Sequence, residues 1–192
     1  MVTVDTSEFR NGLNIKVDDE IYTVIWFQHH KPGKGGAVMR TKLKNVRSGS
    51  IIERTFKAGE KFDSVEIERR KKQYLYSAGE NLVFMDMETY EEIQIPKAQL
   101  GETTRFMKEN VEVEGLYIGE EFLGIELPTF VELEVTHTEP GIRGDTVSNV
   151  TKPAILETGA EVEVPLFVDN GDIVKIDTRT GEYVERIGKK NK

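Results

Sequence analysis

Short stretches of alternating apolar and polar residues recur along this chain, and turn residues stop each one before it grows long. Val131-Glu132-Leu133-Glu134-Val135 and Val162-Glu163-Val164 are clear cases. A period of two turns one side of the chain inward and the other outward, as in a half-buried antiparallel strand. Strand-like segments are read at 13–17, 21–27, 37–43, 51–56, 74–77, 82–87, 130–136, 161–167, 173–177 and 183–187. Asp18-Asp19, Ser48-Gly49, Ala78-Gly79, Asn170-Gly171 and Thr180-Gly181 supply turns between them. Helical periodicity is scarce. One or two short helical pieces are expected after Pro96, over Lys97-Ala98-Gln99-Leu100 and Thr104-Arg105-Phe106-Met107-Lys108, with Gly101 interrupting them. Short strands separated by regular turns predict an all-β chain built from small β-barrels.

The 192 residues divide into three such units at 1–65, 66–129 and 130–192. Units of about 60–65 residues can fold alone, though marginally. The charge changes at the same places. The first unit holds 11 Lys/Arg and 8 Asp/Glu, the second 7 and 14, and the third 8 and 12, for a total of −8. No linker rich in Pro, Gly or Ser separates the units, so they are expected to pack into a fairly rigid rod. A faint internal echo joins 79–89 to 171–180: each reads turn, strand, Asp, turn. It fits two related barrels, and it equally fits chance.

An acidic total argues against a simple nucleic-acid binder, because phosphate binding uses a basic surface. The total hides a local exception. No acidic residue lies between Glu20 and Glu53, a stretch that carries Lys31, Lys34, Arg40, Lys42, Lys44 and Arg47. A block of one sign inside an acidic chain suggests that one end meets a polyanion. No run approaches the ~18 apolar residues of a membrane span. The first residues lack the basic-then-apolar pattern of a secretory signal. There is no cysteine, which excludes disulfides and thiolate catalysis and fits a reducing cytosol. A cytoplasmic location is expected.

Within the basic stretch, His29-His30-Lys31-Pro32-Gly33-Lys34-Gly35-Gly36 lies between two strand-like segments. Proline presets φ, and glycine accepts the conformations a tight turn requires. The flanking segments fit a hairpin with this loop at its tip, from which Lys34 would project. A lysine in a Gly-rich turn is ordinarily a solvated turn residue, and on this loop alone that reading stands. A P-loop is excluded, since it requires G-x-x-x-x-G-K-[ST] ahead of a helix, whereas Gly35 follows Lys34 and a strand follows the loop. Adjacent histidines on a strand point to opposite faces, so His29 and His30 do not readily share an ion. With His137 the only other histidine, no metal and no cofactor are expected. No G-x-S-x-G or H-E-x-x-H occurs. Trp26, Phe27, Tyr74, Tyr76, Phe84, Phe122 and Tyr183 could stack on bases, but their place within strands favours core packing for most.

The chain resembles bacterial translation elongation factor P over essentially its full length. The resemblance rests on Phe9-Arg10-Asn11-Gly12-Leu13 and Lys31-Pro32-Gly33-Lys34-Gly35 in the first third. In the last third it rests on Glu139-Pro140-Gly141-Ile142-Arg143-Gly144-Asp145-Thr146, Lys152-Pro153-Ala154, Thr158-Gly159-Ala160, Val164-Pro165-Leu166-Phe167-Val168 and Ile176-Asp177-Thr178-Arg179-Thr180-Gly181-Glu182-Tyr183. The middle third matches less distinctively, at Tyr74-Leu75-Tyr76 and Phe84-Met85.

The resemblance implies an N-terminal SH3-like (KOW-like) barrel followed by two OB-fold barrels, in an L-shaped, tRNA-like arrangement. It implies a non-enzymatic, monomeric factor on the ribosome, between the peptidyl-tRNA and exit sites. Such a factor promotes peptide-bond formation and relieves stalling at consecutive prolines. Lys34 matches the family's tip lysine, which modifying enzymes often extend with β-lysine or a 5-aminopentanol group. A related branch carries a rhamnosylated arginine there, and this chain departs from it. Lys31, Pro32, Gly33, Gly35 and Gly36 would present Lys34. Arg40, Lys42, Lys44 and Arg47 would face the tRNA acceptor end and ribosomal RNA. Arg143, Gly144, Asp145 and Thr146 match the element that approaches the messenger codon in the exit site. Two other readings stay open: a paralogue serving a different stall, and a general single-stranded RNA-binding or RNA-chaperone module. The basic tail 188–192 extends past the family's usual end.

Overall fold

A computed structural model describes residues 2–33, 35–141 and 150–189. Sixteen strands among the described residues form three antiparallel sheets. The first contains β1 (Val2–Asp5), β2 (Asn14–Val17), β3 (Glu20–His30), β4 (Val38–Asn45), β5 (Ile51–Lys57) and β6 (Lys61–Ser64), in the order β1-β6-β2-β3-β4-β5. Alternation does its expected work in β4, where Met39, Thr41 and Leu43 point inward and Arg40 and Lys42 outward. Ile15, Val24, Met39 and Leu43 form the centre of this core, closed at one side by Phe9, Phe56 and Phe62.

The second sheet contains β7 (Glu68–Ala78), β8 (Asn81–Asp86), β9 (Glu92–Pro96), β10 (Glu112–Ile118) and β11 (Glu121–Glu126), in the order β11-β10-β7-β8-β9. The third contains β12 (Phe130–Thr138), β13 (Thr151–Leu156), β14 (Glu161–Pro165), β15 (Asp172–Asp177) and β16 (Glu182–Lys189), in the order β14-β13-β12-β15-β16. Counted from the first strand of each, both sheets read third, second, first, fourth, fifth. The edge strands β14 and β16 approach each other, curling the third sheet towards closure. No helix among the described residues is long and apolar enough to cross a membrane.

The two five-stranded sheets share a topology, yet the sequence echo does not mark it. β8 is second in its sheet and β15 is fourth in its own. What the two stretches share is turn chemistry. The Asp86 carboxylate accepts the amides of Glu88 and Thr89, and the Asp177 carboxylate accepts that of Arg179. An Asp side chain closing the turn after a strand is a local device that recurs without common descent of the strands.

The helical pieces fall where expected, as α1 (Lys97–Leu100) and a 3-10 segment over Gly101–Phe106. Gly101 takes a positive φ of 51° between them. They lie between β9 and β10, both of the second sheet, and pack that sheet's core against the third. Leu100 packs into the second core, while Phe106 is buried among Leu133, Val135, Val162 and Ile176 of the third. Around that ring, Thr158 donates its hydroxyl to the Arg105 carbonyl at 2.8 Å and Lys108 pairs with Glu157 at 2.9 Å.

The joint between the first and second sheets is smaller. Val46, Leu116 and Leu123 form a separate apolar cluster there. Gly124 lies against the Val46 carbonyl so closely that a Cβ would sit 2.9 Å from the oxygen. Both joints bury apolar side chains.

Candidate functional site

The tip loop closes the longest hairpin of the first sheet. β3 and β4 stay paired as far as His29 with Met39 and His30 with Val38. Beyond those pairs Lys31, Gly33, Gly35 and Gly36 are exposed and Pro32 is half-buried. Gly35 takes a φ of 115°, a conformation that L side chains rarely adopt. Gly33 and Gly36 have open space around their α-carbons and no such φ, so only Gly35 is required by conformation. The loop's base is held by the Ala58 amide donating to the Ala37 carbonyl at 3.0 Å. Lys34 itself lies outside the described residues.

Arg40, Lys42 and Lys44 are brought together on the outward face of β4. Lys42 has a partner in Glu53, 3.4 Å away on β5. Arg40 and Lys44 make no ion pair among the described residues. Arg47 does not join this face. Its guanidinium is tied to the Glu121 carboxylate and reaches the Phe122 carbonyl, so it pins the joint between the first two sheets. The turn after β4 carries Arg47 away from this face and onto β11 of the second sheet.

One residue of this face escaped the period-two reading. Val24 and Trp26 are two apart, which by alternation places them on the same side. Their register partners on β4 are Leu43 and Lys42, neighbours that point to opposite sides. Ile25 is therefore the extra residue of a β-bulge, which reverses the alternation. Val24 is fully buried, whereas Trp26 emerges beside Lys42 with 40% of its surface exposed. The other aromatics divide as core packing predicts, with Tyr74 and Phe84 buried and Phe27, Phe122 and Tyr183 packed at core margins. Tyr76 is the second exception, at 46% exposed.

His29 and His30 are both exposed at the end of β3, and His137 lies on the third sheet near Glu139. Arg143, Gly144, Asp145 and Thr146 fall outside the described residues. The stem that leads to them is firmly built. Lys152 donates its ammonium to the Glu139 carbonyl at 2.7 Å, and a Cβ on Gly141 would stand 2.7 Å from the Leu166 carbonyl.

Three family models match the chain in sequence order. They are the elongation factor P (EF-P) KOW-like domain at residues 5–62, the EF-P OB domain at 67–125, and the elongation factor P C-terminal domain at 131–186. Elongation factor P of Endomicrobium trichonymphae is 56% identical over 183 residues, covering 95% of this chain and 99% of that protein. Elongation factor P of Moorella thermoacetica is 55% identical over the same shares. Among solved structures, a eukaryotic translation initiation factor 5A from Methanococcus jannaschii aligns with a TM-score of 0.47 and 25% identity, over 66% of this chain and 92% of that one.

Proposed function

This chain belongs to the elongation factor P family of translation factors, and from that premise we propose that it binds the ribosome beside peptidyl-tRNA and speeds peptide-bond formation at consecutive prolines. The observation that carries the reading is the tip loop. A two-stranded arm ends in a loop stripped of bulk by Gly33, Gly35 and Gly36, and the sequence puts one lysine, Lys34, among these glycines. Peptidyl transfer is chemistry of the ribosome, so this chain need bring no acid, base or metal. Its contribution is positional. A slender arm can enter a crowded RNA site, and an ammonium on a four-carbon stem can contact the phosphates and hydroxyls of the tRNA's terminal nucleotides. Holding a reactant in attack geometry lowers the entropic part of the barrier. Proline, with its fixed φ and secondary amine, gains most from such holding. Covalent extension of Lys34 by a modifying enzyme would lengthen its reach.

The basic face of β4 supports placing the first sheet against tRNA and ribosomal RNA, with the more acidic units turned elsewhere. Arg143, Gly144, Asp145 and Thr146, which lie in the sequence between β12 and β13, would meet the exit-site messenger. The test is the rate of synthesis through a Pro-Pro-Pro stretch on purified ribosomes, with protein from its native host. Acceleration confined to messages containing the prolines is expected. Equal rates with and without the protein would overturn the proposal.

A further inference from the structure

We propose that Trp26 is a stacking platform for an unpaired RNA base, with Arg40 and Lys44 receiving the phosphates on either side of it. The inference rests on the ribosomal reading above and adds a contact to it. The outward face of β3, β4 and β5 can be read row by row from the register. Gln28 lies beside Arg40 and Thr55, Trp26 beside Lys42 and Glu53, and Thr23 beside Lys44 and Ile51. Indole is thus in the middle row, with a cation in its own row and one in each neighbouring row. Glu53 is the acid in these rows, and Lys42 occupies it. That leaves Arg40 and Lys44 without an ionic partner among the described residues.

This arrangement needs an explanation. The chain has one tryptophan, and a bulge turns it out of a core that its neighbours Val24 and Phe27 enter. An exposed aromatic between unpaired cations fits a ligand with a flat apolar face and flanking negative charge. A nucleotide strand has both, and base stacking tolerates any sequence because every base offers a π-face. A protein partner would need an acidic surface around an apolar anchor. The face belongs to the sheet that carries the tip loop, which favours RNA.

The experiment compares W26F and W26L with the original chain in equilibrium binding to ribosomes carrying peptidyl-tRNA. The variant W26L should weaken binding about fivefold or more, the loss expected for one base stack, while W26F keeps most of the affinity. A photoreactive benzophenone amino acid at position 26 should cross-link to a nucleotide. Sequencing that fragment tells a tRNA base from a ribosomal one, and either supports the proposal. Unchanged affinity in W26L, equal losses in W26F and W26L, or a cross-link to protein alone would overturn it. Thermal melts confirm that each variant is folded, as its exposed position leads one to expect. Proline-specific acceleration is read separately, so a chain that binds but does not accelerate overturns the function and leaves the stacking contact standing.

Discussion

The ammonium of Lys72 lies 2.9 Å from the carboxylate of Asp86, and the lysine is 97% removed from solvent. Room for it comes from the neighbouring strand, where a Cβ on Gly115 would stand 2.9 Å from the lysine stem. The hydrogen bond from Lys72, with the amides of Thr89 and Glu88, holds the Asp86 carboxyl well below the usual carboxylate range. A group lowered in this way stabilises the fold fully above the unfolded carboxylate pKa, about 4, and loses that effect as pH falls. Urea unfolding of the original chain should therefore show stability falling below about pH 4, and D86N should flatten part of that fall. At neutral pH, D86N should cost roughly 3–5 kcal/mol because it removes the carboxylate that partners the buried Lys72, and K72M/D86N should recover much of the loss. A D86N chain as stable as the original would show that the pair is not a charged one.

Phe106 reaches from the second unit into the core of the third. F106A should cost roughly 3–5 kcal/mol, as for other buried rings. The loss should also uncouple the joint, so that calorimetry resolves two transitions where the original chain gives fewer. A single transition at an unchanged temperature would contradict the placement.

At the other joint, the methyl of G124A would press on the Val46 carbonyl, a main-chain atom with no rotamer by which to move aside. Solution scattering should detect a changed relation between the first two sheets. R47A removes only a partly exposed ion pair, for which about 0–1 kcal/mol is expected. Scattering from G124A that superimposes on the original would remove the case for a tight joint.

Tip variants should separate folding from function. K34A should melt like the original chain and lose acceleration at prolines. G35A must adopt a φ of 115° or rearrange the loop, so it should also lose acceleration, whereas G36A has space and should retain most of it. Full acceleration by K34A would overturn the role given to that lysine.

Alternation made the half-buried strands readable, and it failed where burial is not one-sided. The first half of β7, Glu68-Arg69-Arg70-Lys71-Lys72, looks like a solvated charge run. In the sheet its charges are met across strands, Arg69 by Glu114 and Glu126 and Lys72 by Asp86. No local pattern reports partners that distant in sequence. β10 and β11 carry interior glycines, Gly115 and Gly124, which read as breaks but serve close approaches. The tip loop was legible because its glycines and proline are local chemistry. Trp26 and Arg47 were not, since a bulge and a turn decide which way they face.

The close approach of Gly124 to Val46 has one more consequence. Main chain bears directly on main chain there, so the spacing of the first two sheets is a backbone dimension. Side chains in either core can change volume without resetting it. Such a contact acts as a gauge: it limits how near the first sheet can stand to the second unit, whatever side chains surround it.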